Sequence, residues 1–155
     1  MIRKILSVGL VIFWMGFIFS FSQSNGEESG SLSEEMLTKV IEVVSNIEPG
    51  SERMEELLNI WGFPFRKCAH FFIYFVLGIL VMNAFLAFGM VKKVSIIALI
   101  ICILYAVSDE VHQMFVSDRS GNIKDMLLDS SASCFAIYLF NRLIILRGKH
   151  EKKHS

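Results

Sequence analysis

The stretch from Lys93 to Phe115 reads KVSIIALIICILYAVSDEVHQMF. Its unbroken apolar run ends at Val107, roughly 22 Å of helix beyond Lys93 at ~1.5 Å per residue. A hydrocarbon core of ~30 Å needs about 20 residues. To span a bilayer, the helix must continue through Ser108, Asp109, Glu110, Val111, His112 and Gln113 towards Phe115. Those polar side chains then lie in the outer part of the membrane, where they need partners or water. The stretch therefore reads as a membrane helix with its chemistry gathered at one end.

Three further apolar blocks run from Ile5 to Phe21, Cys68 to Val91 and Met126 to Leu146. With 54% hydrophobic residues held in such blocks, a soluble domain is not the expectation. The expected fold is all-α: a small polytopic membrane helix bundle of about four transmembrane helices with an amphipathic outer loop. Its parts are a first transmembrane anchor (1–22), an extracytoplasmic acidic loop with short amphipathic helices (23–65), a three-helix membrane core (66–146) and a basic cytoplasmic tail (147–155). The first block has a second reading, a signal peptide with small residues at Ser20 and Ser22 suiting cleavage before Gln23. Its long apolar core favours a retained anchor.

Arg3 and Lys4 precede the first block, Lys92 and Lys93 separate the second from the third, and Arg147, Lys149, Lys152 and Lys153 follow the fourth. An even number of spans puts all three clusters on one side, which the positive-inside rule makes cytoplasmic. The expected location is the cell membrane, multi-pass, with both termini cytoplasmic. Arg66, Lys67, Arg119 and Lys124 fall on the other side. In the loop, Gly26–Gly30 is expected to be flexible and Ser33 to cap a helix whose apolar face includes Met36, Leu37, Val40 and Ile41. Pro49 and Gly50 end it, and a second short helix follows from Ser51 to Trp61.

The net charge is zero, and the basic residues sit beside hydrophobic blocks, so no nucleic-acid partner is expected. Cys68, Cys102 and Cys134 lie in apolar segments at unrelated spacings, which argues against a disulfide framework or a zinc site. No P-loop, GxSxG or HExxH pattern is present, and no cofactor is expected.

The polar residues concentrate in three groups. Arg66, Lys67, His70 and Tyr74 open the second span, and Lys67, His70 and Tyr74 share a face by spacing. Asp109, Glu110, His112 and Gln113 close the third, and Asp109, His112 and Gln113 share a face. Arg119 lies in the turn, with Asp125 and Asp129 four apart on the fourth span. Antiparallel helices bring these groups to similar depth, as a candidate pocket. Ser130, Ala132, Ser133 and Ala136 supply small side chains for close helix approach. A bland reading stands beside this one: the carboxylates only lock the bundle through ion pairs with Lys67 and Arg119. Asp109 with His112, and Asp125 with Asp129, have chelating spacing for a hard divalent ion. No metal is expected, because Lys67 and Arg119 compensate the carboxylates.

These residues resemble the VanZ-like family of bacterial membrane proteins. The resemblance rests on Arg66-Lys67-x-x-His70-Phe71 with Tyr74, on Ser108-Asp109-Glu110-x-His112-Gln113-x-Phe115, and on Arg119-Ser120-Gly121 with Asp125 and Asp129. Trp14 and the run from Ile18 to Gln23 are similar to the family's first segment, which supports an uncleaved anchor. Two departures are Ser117-Asp118 in place of a Pro-Gly and Ala132 in place of a glycine. The resemblance implies a cell-envelope role and points to lowered susceptibility to teicoplanin, a lipid-bearing glycopeptide.

Three functions stay open at this level. One is a non-enzymatic protein whose outward polar pocket binds a lipid-linked or glycopeptide ligand, with membrane lipids as partners; this is favoured. Another is a membrane enzyme acting on a lipid or cell-wall precursor, with Asp109, Glu110 or Asp129 as acid or base. The third is a purely structural cluster.

Overall fold

The computed structural model describes residues 1–23, 26–90, 93–116 and 122–151, and among them every regular element is a helix. The order is α1 (Ile2–Gln23), α2 (Gly26–Ser45), α3 (Glu52–Ala87), α4 (Val94–Gln113) and α5 (Ile123–Glu151). Ile2–Ser22, Glu52–Ala87 and Val94–Gln113 are long and apolar enough to cross a membrane. The fourth bundle helix, α5, packs on α3 and α4, and Asp129, Asn141 and Arg142 lower its apolar character. The chain is thus an all-α membrane bundle, as its apolar blocks implied.

The buried positions of α4 explain the shape of the bundle. Val94, Ala98, Cys102 and Ala106 recur every fourth residue and are almost wholly buried. Asp109 and Gln113 continue the same stripe, since residues three and four apart stack on one helix face. Ile96, Ile100, Leu104 and Val107 point away and stay exposed, as suits a helix side facing hydrocarbon. Asp109 is therefore buried because it lies in register with the core-facing residues of its own helix.

Against this stripe pack Tyr74, Leu77, Val81 and Met82 of α3, Ala132 and Ile137 of α5, and Ile18 of α1. The tightest approach is between α3 and α5. A Cβ on Gly78 would lie 2.9 Å from the Ser133 carbonyl oxygen and 3.0 Å from the Ala136 Cβ. Ala132, Ser133 and Ala136 are fully buried, so the small residues of α5 serve close packing as their pattern suggested.

Helix α2 folds back on the first part of α3. Asn46 and Gly50 take positive φ values of 52° and 79° to make the turn. Ser51 caps α3, its Oγ accepting from the Met54 N–H at 3.3 Å. Leu37, Ile41 and Met54 form a second small core with Ile47, Leu57, Leu58 and Phe65 around it. On the exposed side of α2, Lys39 donates to Glu35 at 2.5 Å. That hydrogen bond and the opposite charge hold the Glu35 carboxyl below its ordinary range and Lys39 above it.

Two local expectations change. The helix begun after Ser51 does not stop near Trp61 but runs on through Pro64 to Ala87. A proline inside a helix costs ~3 kcal/mol, and the cluster around Met54, Leu58 and Phe65 offsets it by holding both sides of the proline against α2. Ser33 does not cap α2, which starts at Gly26. Leu32, Ser33 and Met36 instead face α1 and α3 across a cavity.

Candidate functional site

At the end of the bundle where α4 leads towards α5, the stripe of α4 turns polar. The Tyr74 hydroxyl donates to Asp109 Oδ2 at 2.9 Å. The Gln113 side-chain amide reaches the same oxygen at 3.4 Å and donates to Ser22 Oγ at 2.7 Å. One level deeper, Ser133 Oγ donates to the Tyr74 carbonyl at 3.1 Å. Asp109 is 5% exposed, and its other oxygen, Oδ1, has no hydrogen-bond partner among the described residues.

Helix α1 is fixed beside this group by two further bonds. Trp14 Nε1 donates to the Ile73 carbonyl at 2.9 Å, and the Tyr105 hydroxyl donates to the Met15 carbonyl at 2.5 Å. The Trp14–Phe21 face of α1, the Leu32–Met36 turn of α2 and the Phe65–Tyr74 part of α3 then enclose a cavity of about 320 Å³. Most of its wall is aromatic or aliphatic. Its polar lining comes from Arg66, His70, Tyr74, Asp109, Gln113, Ser22 and Ser33. Arg66 Nε is buried and has no hydrogen-bond partner among the described residues.

The remaining expected residues form a second group towards α5. Lys67 makes an ion pair with Asp125, both side chains about a quarter exposed at 25% and 23%. Glu110 accepts the Asn122 backbone N–H at the start of α5. Asp129 is 2% exposed, and its Oδ1 lacks a hydrogen-bond partner among the described residues. The charges of Asp109, Asp125, Glu110 and Lys67 all reach it. His112 lies against Phe19 of α1, ring centroids 4.5 Å apart, its Nε2 buried without such a partner.

The polar residues thus meet at one end of the bundle but divide into two groups, with Asp109 between them. Lys67 does not line the cavity with His70 and Tyr74: it pairs with Asp125 of α5, and Arg66 lines the cavity instead. His112 likewise lies against Phe19 and outside the cavity lining of Asp109 and Gln113. Arg119 lies outside the described residues, as do Ser117, Asp118, Ser120 and Gly121. Among the described residues, no three His, Cys, Asp or Glu side chains are placed to hold a metal ion.

The model of the VanZ/LLP1 family matches residues 7–146. The chain belongs to the VanZ/LLP1 family. A search of curated proteins and a search of solved structures returned no match. The matched region of this VanZ/LLP1 chain takes in α1 from Ser7 onward, the cavity and the whole of both polar groups.

Sequence reasoning missed several contributors to the VanZ/LLP1 cavity. Ser22 read as a small residue near a cleavage point, whereas its hydroxyl accepts from Gln113 of α4. Leu32, Ser33 and Met36 read as loop or as a surface helix, yet they form one wall. Outside the cavity, in the group towards α5, the contribution of Asn122 to Glu110 is a backbone N–H, which its side chain does not announce.

Proposed function

We propose that this VanZ-like protein acts at the cell envelope by non-covalent binding and lowers susceptibility to teicoplanin-type glycopeptides through an outward-facing polar pocket. The observation that carries the reading is the cavity itself. It joins a largely apolar wall to a few convergent polar groups, the usual character of a ligand site. The polar residues carry no recognisable catalytic motif such as GxSxG or HExxH, so the reading favours binding over turnover. The outward direction rests on Arg3, Lys4 and Lys93 lying at the opposite end, which the positive-inside rule assigns to the cytoplasm. Membrane lipids surround the exposed faces of α1 and α4, and the ligand is lipid-linked or a glycopeptide.

The test is the teicoplanin and vancomycin susceptibility of a Gram-positive host expressing the wild type or Asp109→Asn at matched membrane levels. A teicoplanin-selective shift that the variant loses in part supports binding at this group. Complete loss at full abundance, together with turnover of an envelope lipid, favours an enzyme with Asp109 as acid or base. No shift for the wild type removes the resistance role.

A further inference from the structure

We propose that the cavity holds a phospholipid whose head carries both an anion and an ammonium group, the anion held at Arg66 and the ammonium N–H at Asp109. This rests on the binding reading above and names the class of ligand. Two residues that line the same cavity each hold a buried polar atom without a hydrogen-bond partner among the described residues, and the two atoms are of opposite sense. Arg66 Nε is a donor, and Asp109 Oδ1 is an acceptor. Leaving either unsatisfied carries the full desolvation penalty of the group, larger still for a charged one. One ligand that presents an acceptor to the first and a donor to the second removes both costs together.

The charge pattern narrows the choice. A purely anionic head meets Arg66 well and Asp109 badly, and a purely cationic head does the reverse. Lys67 does not relieve Asp109, because it is taken by Asp125. A head with both signs matches both residues, and the mismatched charge excludes the others. A choline head carries both signs too, but it has no N–H to give Asp109.

The rest of the cavity calls for hydrocarbon. Phe17, Phe21, Met36, Phe72 and Ile73 dominate its wall. At ~30 Å³ each, about ten waters would be needed to fill it, and a buried water needs 2–4 polar partners. The wall does not offer so many. From Ser22 to Trp14 the cavity follows α1 for roughly 12 Å, deep enough to take the start of an acyl chain while the head stays at the rim.

The test is native mass spectrometry of the full-length protein, delipidated in detergent and offered phosphatidylethanolamine, phosphatidylcholine or phosphatidylglycerol of identical chains. Phosphatidylethanolamine is expected to be retained about tenfold better than either, since ~1.4 kcal/mol is a factor of ten. Arg66→Gln and Asp109→Asn should each erase that preference. Ala69→Phe keeps both polar groups and fills the cavity from α3, so it should lower retention of all three lipids; it covers the case in which Asp109→Asn fails to fold. Equal retention of the three lipids by the wild type, or unchanged retention in Ala69→Phe, overturns the proposal. A teicoplanin shift in the host that persists beside equal retention would sink the lipid assignment alone. Selective retention without such a shift would leave the lipid and remove the resistance role.

Discussion

Gly78 of α3 lies so close to Ser133 of α5 that a Cβ on the glycine would sit 2.9 Å from the Ser133 carbonyl oxygen. The atom in the way is backbone, so α5 itself must move to admit a side chain. This contact sits one turn below Tyr74, whose carbonyl accepts from the same Ser133. The spacing of α3 and α5 therefore helps set where Tyr74 meets Asp109.

Substitution at Gly78 should accordingly be costly. Gly78→Ala gains up to ~1 kcal/mol of helix propensity but is opposed by about 1–3 kcal/mol of overpacking. The net expectation is a modest loss, with Gly78→Leu markedly worse. Thermal unfolding of the detergent-solubilised protein measures both. An Ala variant more stable than the wild type would mean that α3 and α5 stand further apart.

Tyr74→Phe removes the short hydrogen bond to Asp109 and leaves only the 3.4 Å contact from Gln113 on that oxygen. A buried carboxyl left short of a donor should cost about 1–3 kcal/mol. Combining Tyr74→Phe with Asp109→Asn should cost less than the sum of the single variants, by about 0.5–3 kcal/mol of coupling. Strict additivity in the double-mutant cycle would show that the two side chains do not act on each other.

The Lys67–Asp125 pair is neither exposed nor deeply buried. Its loss should fall between the 0–1 kcal/mol of surface pairs and the 3–5 kcal/mol of broken buried ones. Asp125→Asn or Lys67→Met should each lower stability, and the exchange of both residues should restore part of it. If the exchanged pair proved less stable than either single variant, the attraction would not be what joins α3 to α5 there.

Pro64 lies inside an unbroken helix, where it withholds a backbone donor. Pro64→Ala should therefore be tolerated and raise the unfolding temperature, by at most about 3 kcal/mol of stability. A lower unfolding temperature would show that the proline is needed to hold the first part of α3 on α2.

Much of this was legible in the sequence for a physical reason. The polar end of α4 had to enter the membrane because the apolar run from Val94 to Val107 is too short to span. The small residues of α5 had to face a neighbour because they are useless towards lipid. Which polar groups would pair was not legible, since Arg66 and Lys67 are adjacent and only the rotation of α3 assigns one to the cavity and the other to Asp125. The run of α3 through Pro64 was hidden too. It depends on Met54 and Leu58 meeting Leu37 and Ile41, and a local reading of Pro64 gives only the cost.

The bonds of α1 also say something about biogenesis. Hydrogen bonds join it to Ile73, Tyr105 and Gln113, residues that leave the ribosome well after it. During synthesis, the Trp14 indole therefore has to wait in the bilayer for a partner that does not yet exist. Helix α1 can complete these contacts only after α4 has been made, so its docking follows the synthesis of both α3 and α4.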